Sequence, residues 1–385
     1  MNSRRSNTNR VRPSRRSILI AALASLSIQA PHADAIAQTQ GGEYAIAVVD
    51  AAGRLDATYT YNSIGARITV SRGGGAYRLR LHGFAEGPVP PLPHQGNVQI
   101  SALGEDNARC HWLFHEITGP DLDVVVWCRD PAGTITPSGF VFFHERPTAG
   151  STRMGGLALP ARKTLPFGNV ERDRSYNSSG GVNWVERESE GRYHVGFPGL
   201  GRIGGNAQAT IIGTHSRGHC EVDPGGNHCG PDQVVPVSCF DESGRPHDES
   251  FFLNFLGRGS FHVNGHGAYT WVISDGPETH EAGAAYTGNS ACGAANAVRR
   301  VGTGEYVVSH VGQDAVRGIP LVTATLRDFD GDGADDARYC KIVAWRGGSA
   351  GVDVEVRCFD SAGSRADSDF SEIFITADDP PASCP

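Results

Sequence analysis

Nine residues near the carboxyl end of the chain, 328–336, carry oxygen donors at a spacing that suits a hard cation. Aspartates stand at loop positions 1, 3, 5 and 9, as Asp328, Asp330, Asp332 and Asp336. Glycines stand where the backbone must turn sharply, and Ala334 is placed to offer its carbonyl oxygen. Calcium takes six to eight oxygen ligands of this kind. The pattern therefore predicts a calcium site.

The loop resembles the calcium loops of dockerins and of the FG-GAP repeats in integrin-type propellers. The resemblance covers nine residues and implies one ion held by Asp328, Asp330, Asp332, Ala334 and Asp336. Tyr339 stands where an EF-hand has its glutamate at position 12, so a helical EF-hand is not expected. No open coordination position or neighbouring base is apparent, and we expect the calcium to be structural.

Two groups of histidines have side chains that could bind a transition metal, but their spacing is poor for it. His111 and His115 share one face of a predicted strand, about 13 Å apart at 3.3 Å per residue, which is too far to hold one ion. The second group matches no zinc template and consists of His215, His219, Asp223, His228 and Cys229. We interpret the first pair as solvated or hydrogen-bonded side chains. The second group is interpreted as a polar loop, with zinc binding as the alternative.

Ser216 lies in the segment Thr-His-Ser-Arg-Gly, which is similar to the nucleophile elbow of hydrolases. The segment lacks the first glycine of that turn, and it falls at a predicted hairpin turn instead of between a strand and a helix. We therefore expect an ordinary surface turn. The sequence assigns no catalytic or cofactor-binding residue.

Residues 1–37 have the composition of an export signal. Six arginines and no acidic residue precede a modest apolar run at 18–28, which is too short to span a bilayer. The stretch Ser-Arg-Arg-Ser-Ile-Leu at 14–19 resembles a twin-arginine leader. Cleavage is expected after Ala35 or Ala37. These features predict a periplasmic or extracellular protein with no membrane span.

Loss of the leader makes the chain more acidic. The leader contains six of the 34 basic residues and one of the 42 acidic ones, so 28 remain against 41, a net charge near −13. A surface of that sign repels phosphate groups. Nucleic acid is therefore not expected as a partner.

The strongest signal in the chain is an internal repeat. VPVSCFDESGRPHDESF begins at Val235, VEVRCFDSAGSRADSDF at Val354, and a looser copy, VVVWCRDPAGTITPSGF, at Val124. The period of about 110 to 120 residues is that of whole modules and is too long for solenoid units. It predicts three repeats at 41–150, 151–260 and 261–379, followed by a tail at 380–385.

Within each repeat, apolar and polar residues alternate with period two. Tyr77, Leu79 and Leu81 alternate with arginines or alanine, as expected for half-buried strands. Fifty glycines and 22 prolines supply turns for about seven short strands per repeat. The predicted fold is all-β, with three tandem antiparallel, sandwich-like modules. The alternative is a six-bladed β-propeller with two blades per repeat.

Six of the nine cysteines form three pairs of nearly equal spacing, Cys110 with Cys128, Cys220 with Cys239, and Cys340 with Cys358. The midpoint of each pair falls at a predicted turn, so the two cysteines should face each other across antiparallel strands. Their Cα atoms would then be about 4.5 to 5.5 Å apart, within disulfide reach. In an oxidising compartment, three cross-strand disulfides are expected.

Three cysteines remain after this pairing. We expect Cys292 to pair with Cys384, which would tie down the tail. Cys229, at a predicted hairpin tip, would then be exposed and able to link two chains as a disulfide-bonded homodimer.

The repeat resembles exported bacterial proteins, which implies export but no particular activity. The five tryptophans are scattered, which favours core packing over a sugar-binding platform. The sequence favours a noncatalytic β-repeat protein that binds a glycan, a protein or a cell-surface component. The alternative is a secreted hydrolase or lyase whose site is formed by loops of different repeats.

If the loop at 328–336 binds calcium, the ion should stabilise the folded protein. Millimolar calcium is expected to raise the melting temperature of chelator-treated protein, because it binds the folded state alone. Asp330→Ala should abolish the increase. An unfolding curve that calcium does not move would show that the loop is an ordinary acidic turn.

Overall fold

A computed structural model of the protein describes residues 42–85, 96–147, 155–158, 167–169, 175–223, 227–259, 266–274, 279–281, 286–291, 295–327 and 336–377. Within these ranges the chain forms 27 strands and one short 3₁₀ helix, Ala57–Tyr59. The all-β prediction is confirmed.

The strands recur in nearly the same order three times. The first repeat contains β1 (Gly42–Val49), β2 (Tyr61–Asn62), β3 (Ile68–Gly73), β4 (Ala76–Leu81), β5 (Asn97–Leu103), β6 (Arg109–Thr118), β7 (Asp121–Arg129) and β8 (Gly139–Pro147). The second contains β9 (Gly155–Ala158), β10 (Phe167–Asn169), β11 (Tyr176–Asn177), β12 (Trp184–Ser189), β13 (Arg192–Phe197), β14 (Gly205–Ile212), β15 (His219–Val222), β16 (Asn227–Cys229), β17 (Asp232–Phe240) and β18 (Ser250–Gly257). The third contains β19 (Gly267–Val272), β20 (Thr279–Glu281), β21 (Thr287–Asn289), β22 (Asn296–Gly302), β23 (Glu305–Val311), β24 (Gly318–Ala324), β25 (Arg338–Gly348), β26 (Gly351–Asp360) and β27 (Phe370–Thr376).

Each repeat builds two antiparallel sheets. One contains the first strand of the repeat, in the order β2-β1-β8-β5 in repeat 1, and we call it the opening sheet. The other carries the cysteine pair, in the order β3-β4-β7-β6, and we call it the disulfide sheet. Repeats 2 and 3 use the same two orders, and each adds one short strand, β10 or β20, at the outer edge of its disulfide sheet.

The two sheets of a repeat pack face to face on an apolar core. In repeat 1, Tyr77 and Leu79 of the disulfide sheet meet Phe140 and Phe142 of the opening sheet, and all four are fully buried. A second core fills repeat 2, and the core of repeat 3 extends to Tyr44 of repeat 1. This packing is the predicted sandwich-like arrangement.

The three repeats are joined in cyclic order by parallel strand contacts. The disulfide sheet of repeat 1 continues into the opening sheet of repeat 2 where Trp112 pairs with Ile212. Repeat 2 continues into repeat 3 through Val222 and Thr325, and repeat 3 returns to repeat 1 through Ile342 and Leu103. The described strands therefore form sheets of nine, eight, six and four strands. They do not form the six four-stranded blades of the alternative propeller.

The three predicted disulfides are present. In each pair the two cysteines are directly opposite in the register of the hairpin, with Cα atoms 4.0 Å apart. The aspartate two residues after each second cysteine opens a turn. Asp130, Asp241 and Asp360 each accept a hydrogen bond through a side-chain oxygen from the amide four residues later.

In repeats 2 and 3 an arginine and a tyrosine at equivalent positions are both hydrogen-bonded to one aspartate. Asp248 accepts hydrogen bonds from the Arg187 guanidinium, from the Gly191 amide and from the Tyr193 hydroxyl, at 2.8 to 3.0 Å. Asp367 makes the same contacts with Arg300, Gly304 and Tyr306. The shared positions are thus scaffold.

Replacing this aspartate should destabilise the fold. Asp248→Ala leaves the half-buried Arg187 and the Tyr193 hydroxyl without their acceptor, and we expect the free energy of unfolding to fall by about 2 kcal/mol. Glu188→Ala replaces a largely exposed side chain of β12, the strand that contains Arg187. It should change the free energy of unfolding by less than about 0.5 kcal/mol. Urea unfolding of the disulfide-bonded protein measures both. Equal effects of the two substitutions would contradict the assigned role.

Candidate functional site where the three repeats meet

The repeats meet at a cyclic set of three hydroxyl groups. Ser101, Thr210 and Thr323 occupy equivalent places on β5, β14 and β24. The Ile100 amide donates to Thr210 Oγ1 at 2.9 Å, and the Ala209 amide donates to Thr323 Oγ1 at 3.1 Å. The Val322 amide closes the set by donating to Ser101 Oγ at 2.9 Å. Each repeat therefore satisfies a buried backbone donor of another repeat.

A cavity of about 60 Å³ lies beside these hydroxyls and is lined by all three repeats. Three of its lining residues are Arg109, His219 and Tyr339, which we call the axial cluster. Each immediately precedes the first cysteine of its hairpin, and all three are buried. The threefold arrangement of the hairpins thus brings three different polar side chains to one place.

The members of the axial cluster contact one another directly. Arg109 Nη1 donates to His219 Nδ1 at 3.2 Å, and the Arg109 guanidinium lies 4.7 Å from the centre of the Tyr339 ring. Because His219 Nδ1 accepts, the imidazole proton is on Nε2. Burial and the neighbouring Arg109 charge hold the pKa of His219 well below its usual value. His219 is therefore neutral in the fold.

Two residues further along the same strands is a second set of equivalent polar residues, His111, Glu221 and Lys341, all buried. His219 Nε2 lies 3.4 Å from Glu221 Oε1 without hydrogen-bond geometry. The Lys341 ammonium pairs with Asp106 of repeat 1. Burial lowers the pKa of Lys341, and the hydrogen bond to Asp106 opposes that shift. Burial lowers the pKa of His111 to about 3.

A carboxylate, a histidine, an arginine and a tyrosine near one cavity are groups that acid–base catalysis uses. Here the groups contact other repeats, and the Tyr339 hydroxyl donates to the Asn107 carbonyl at 2.8 Å. The cavity can hold a few water molecules, at about 10 to 15 Å³ each. Pockets for small-molecule ligands measure about 300 Å³ or more. The arrangement therefore serves contact between repeats.

Repeat 3 contains a further buried polar pair inside its own core. His310 Nε2 lies 2.8 Å from Glu372 Oε2, and both side chains are fully buried. His310 Nδ1 also contacts Asn296 Oδ1 at 3.1 Å. Burial raises the pKa of Glu372. The equivalent positions are Leu81 with Phe142 in repeat 1 and Phe197 with Leu253 in repeat 2. The pair replaces an apolar contact.

Most of the predicted calcium loop lies outside the described residues, including Asp328, Asp330, Asp332 and Ala334. Asp336 is described, and its amide donates to the Arg327 carbonyl at 3.0 Å, which closes the base of the loop. Its carboxylate lies 3.6 Å from the Arg338 guanidinium. Among the described residues, no three His, Cys, Asp or Glu side chains are grouped to hold a metal ion. The calcium site stays a prediction.

The histidine groups and Ser216 differ from the sequence interpretation. His111 is buried, whereas His115 stacks on Trp112 with ring centres 4.9 Å apart. In the second group His215 is exposed and His219 belongs to the axial cluster. Ser216 does lie in the connection between β14 and β15, between the exposed His215 and Arg217, but its own side chain is not at the surface. It is buried and donates to the Glu249 carboxylate at 2.6 Å. The Ser216 hydroxyl is thus held inside the fold by a hydrogen bond to a buried carboxylate.

Two of the three remaining cysteines, Cys292 and Cys384, lie outside the described residues. Cys229 is at the end of β16, where it pairs with Asp232 across a turn, so the predicted hairpin tip is confirmed for the backbone. Of the five tryptophans, Trp112 and Trp345 are buried and the other three are half-buried. The tryptophans therefore provide no exposed aromatic platform.

The axial cluster was missed in the sequence because its members share no chemistry. A signal was nevertheless present, since Arg109, His219 and Tyr339 hold the same place in the repeat, directly before Cys110, Cys220 and Cys340. Equivalent positions of three cyclically arranged repeats lie close together where the repeats meet. Aligning the repeats on their cysteines would have placed these three residues together.

Fold and site together define an all-β protein of three sandwich-like repeats, joined through their sheets and braced by three disulfides. Comparison with protein-family models, curated proteins and solved structures finds no match. In the described part of the chain, no helix has the length and apolar character needed to cross a membrane.

The buried histidines should make stability fall in mild acid. Burial lowers the pKa of His111 and of His144 to about 3, and that of His219 lies well below its usual value. Between pH 6.5 and 3 the unfolded chain binds protons that the folded chain does not. Stability present above pH 6.5 is therefore lost as the pH falls, by up to about 1.4 kcal/mol per pH unit for each histidine.

The test is urea unfolding between pH 7.5 and 5. At pH 5 the number of protons bound on unfolding, which is the slope of the unfolding free energy against pH, should be lower by close to one in His111→Gln than in the unsubstituted protein. A slope that His111→Gln does not alter would show that this side chain is protonated in the fold.

Proposed function

We propose that the protein is an exported, noncatalytic β-repeat protein that binds a glycan, a protein or a cell-surface component, in the periplasm or outside the cell. The proposal rests on the location of polar residues that occur in one repeat and have no like counterpart in the other two. Arg109, His219, Glu221 and Lys341 are buried in contacts between repeats, beside a cavity of about 60 Å³. Binding would then use the outer surface.

Export is supported by the leader-like residues 1–37 and by the three disulfides, which persist in oxidising compartments. The twin-arginine route and a structural calcium ion belong to the same proposal. Calcium would brace the connection between β24 and β25, and so the entry to the third disulfide hairpin.

Among the three kinds of ligand, a protein has the best support. Sugar rings are usually held on exposed aromatic faces, and the tryptophans are buried or half-buried. The eight-stranded sheet does end in β3, whose residues 71–73 are exposed, and the backbone groups of such a strand can pair with an extended segment of another protein. The alternative, a secreted hydrolase or lyase with a site formed by loops of different repeats, would need catalytic groups that face solvent.

Two measurements distinguish a binding protein from an enzyme, namely retention of the protein on an insoluble probe and release of soluble product from that probe. The mature, disulfide-bonded protein is incubated with peptidoglycan sacculi, insoluble xylan or immobilised casein, and the soluble fraction is analysed for new reducing ends, unsaturated sugars and free amines. We expect retention on at least one probe without any product. His219→Gln and the control His194→Gln, at a half-buried histidine outside the cluster, should be retained equally.

Product release that His219→Gln abolishes and His194→Gln preserves would establish the enzyme instead. Failure of all three probes to retain the protein would contradict the binding proposal for these classes of ligand.

A further inference from the structure

Repeats 2 and 3 protect the outer edge of the disulfide sheet with a short added strand. In repeat 2, β10 pairs antiparallel with residues 184–186 of β12. In repeat 3, β20 pairs antiparallel with residues 297–299 of β22. Aligned on Arg187 and Arg300, which precede the hairpin turn, these are the same three positions. The fold thus provides one place for an additional strand in each repeat.

Repeat 1 leaves this place empty among the described residues. Its equivalent strand is β3, where Arg72 corresponds to the two arginines, so the uncovered positions are 69–71. The β1-to-β2 connection, which could have supplied the cover, is described without a gap. It contains a tight turn opened by Asp50 and the 3₁₀ helix Ala57–Tyr59, and no strand. In the described part of the chain, β3 ends its sheet.

The central valine of this edge is more buried in the two repeats that have the added strand. Val185 of β12 is 8% exposed and Val298 of β22 is 1% exposed. The equivalent Val70 is only partly buried, although it packs on the core of repeat 1. A strand beside β3 would bury it as its counterparts are buried.

The uncovered edge lacks the usual protection against pairing. The β12 and β22 hairpins each contain a register shift, after Arg187 and after Arg300, whereas β3 pairs with β4 without one. No proline or lysine occurs in β3, its one charged residue is Arg72 near its end, and the side chains that flank Val70 are the small, uncharged Thr69 and Ser71. Regular edges of this kind offer their backbone groups to another strand.

We propose that β3 pairs with β3 of a second copy of this chain, antiparallel and centred on Val70. In this register Thr69 faces Ser71 of the second copy, and Ile68 faces Arg72. Arg67, just outside the strand, faces Gly73. No like charges are opposite each other, so the edge is complementary to itself. The pairing is isologous, covers both open edges at once and cannot continue into a fibre.

This dimer is independent of the ligand sought above and of the disulfide link through Cys229. The experiment uses the mature protein with Cys229→Ser, so that a disulfide between copies cannot hold the dimer. Light scattering coupled to size-exclusion chromatography should give the mass of two chains. Thr69→Lys with Ser71→Lys places lysines opposite each other at both crossing points, and the mass should fall to that of one chain.

The matched control carries charges at the same two positions in complementary order. In Thr69→Lys with Ser71→Glu, each lysine faces the glutamate of the other copy, and the dimer should return. Unfolding curves show that both variants fold. A monomeric parent protein, a dimer that persists with two lysines, or a monomer with lysine and glutamate would each overturn the proposal. In a monomeric parent, slow amide exchange at 69–71 would assign the edge to another segment of the same chain.

Discussion

The parallel contacts between sheets of neighbouring repeats are the interaction on which the rest of the structure depends. A sheet that ended at β5, β14 or β24 would leave a row of buried backbone donors and acceptors unpaired, which folded proteins avoid. Here each opening sheet continues into the disulfide sheet of another repeat. Three such joins, each of one residue pair, close a cycle of repeats. The hydroxyls of Ser101, Thr210 and Thr323 satisfy the amides next to these joins.

Closure also explains why the repeats differ most in chemistry where they meet. Three copies of one charged residue would be buried beside one another at equivalent positions, and their repulsion would be severe in so dry an environment. The chain instead places Arg109, His219 and Tyr339 at one level. At the next level it places His111, Glu221 and Lys341. Each charge then has a neighbour of another kind. Divergence at these positions is a requirement of packing, and it need not indicate a catalytic site.

Comparing the three repeats also distinguishes shared structural features from features of a single repeat that packing does not require. The disulfides and the turns opened by Asp130, Asp241 and Asp360 are common to all three and hold the hairpins. The His310–Glu372 pair occurs in repeat 3 alone, inside a core that is apolar in the other two. Among the strands that the structure describes, repeat 1 is the one whose disulfide sheet has no added strand at its outer edge.

The sequence by itself determined the features that depend on near neighbours in a hairpin. Period-two alternation indicated strands, and equal distances of Cys220 and Cys239 from a turn indicated a cross-strand disulfide, because antiparallel register follows from counting residues. Only the tertiary structure decided how repeats share sheets, since the joins at Trp112 and Ile342 unite residues about a hundred or more apart through backbone groups that every residue possesses. Packing also decided that Ser216, expected in a surface turn, has a buried hydroxyl that bonds to Glu249 of its own repeat. Arg109 met His219 because the cycle of repeats closes, which no local pattern records.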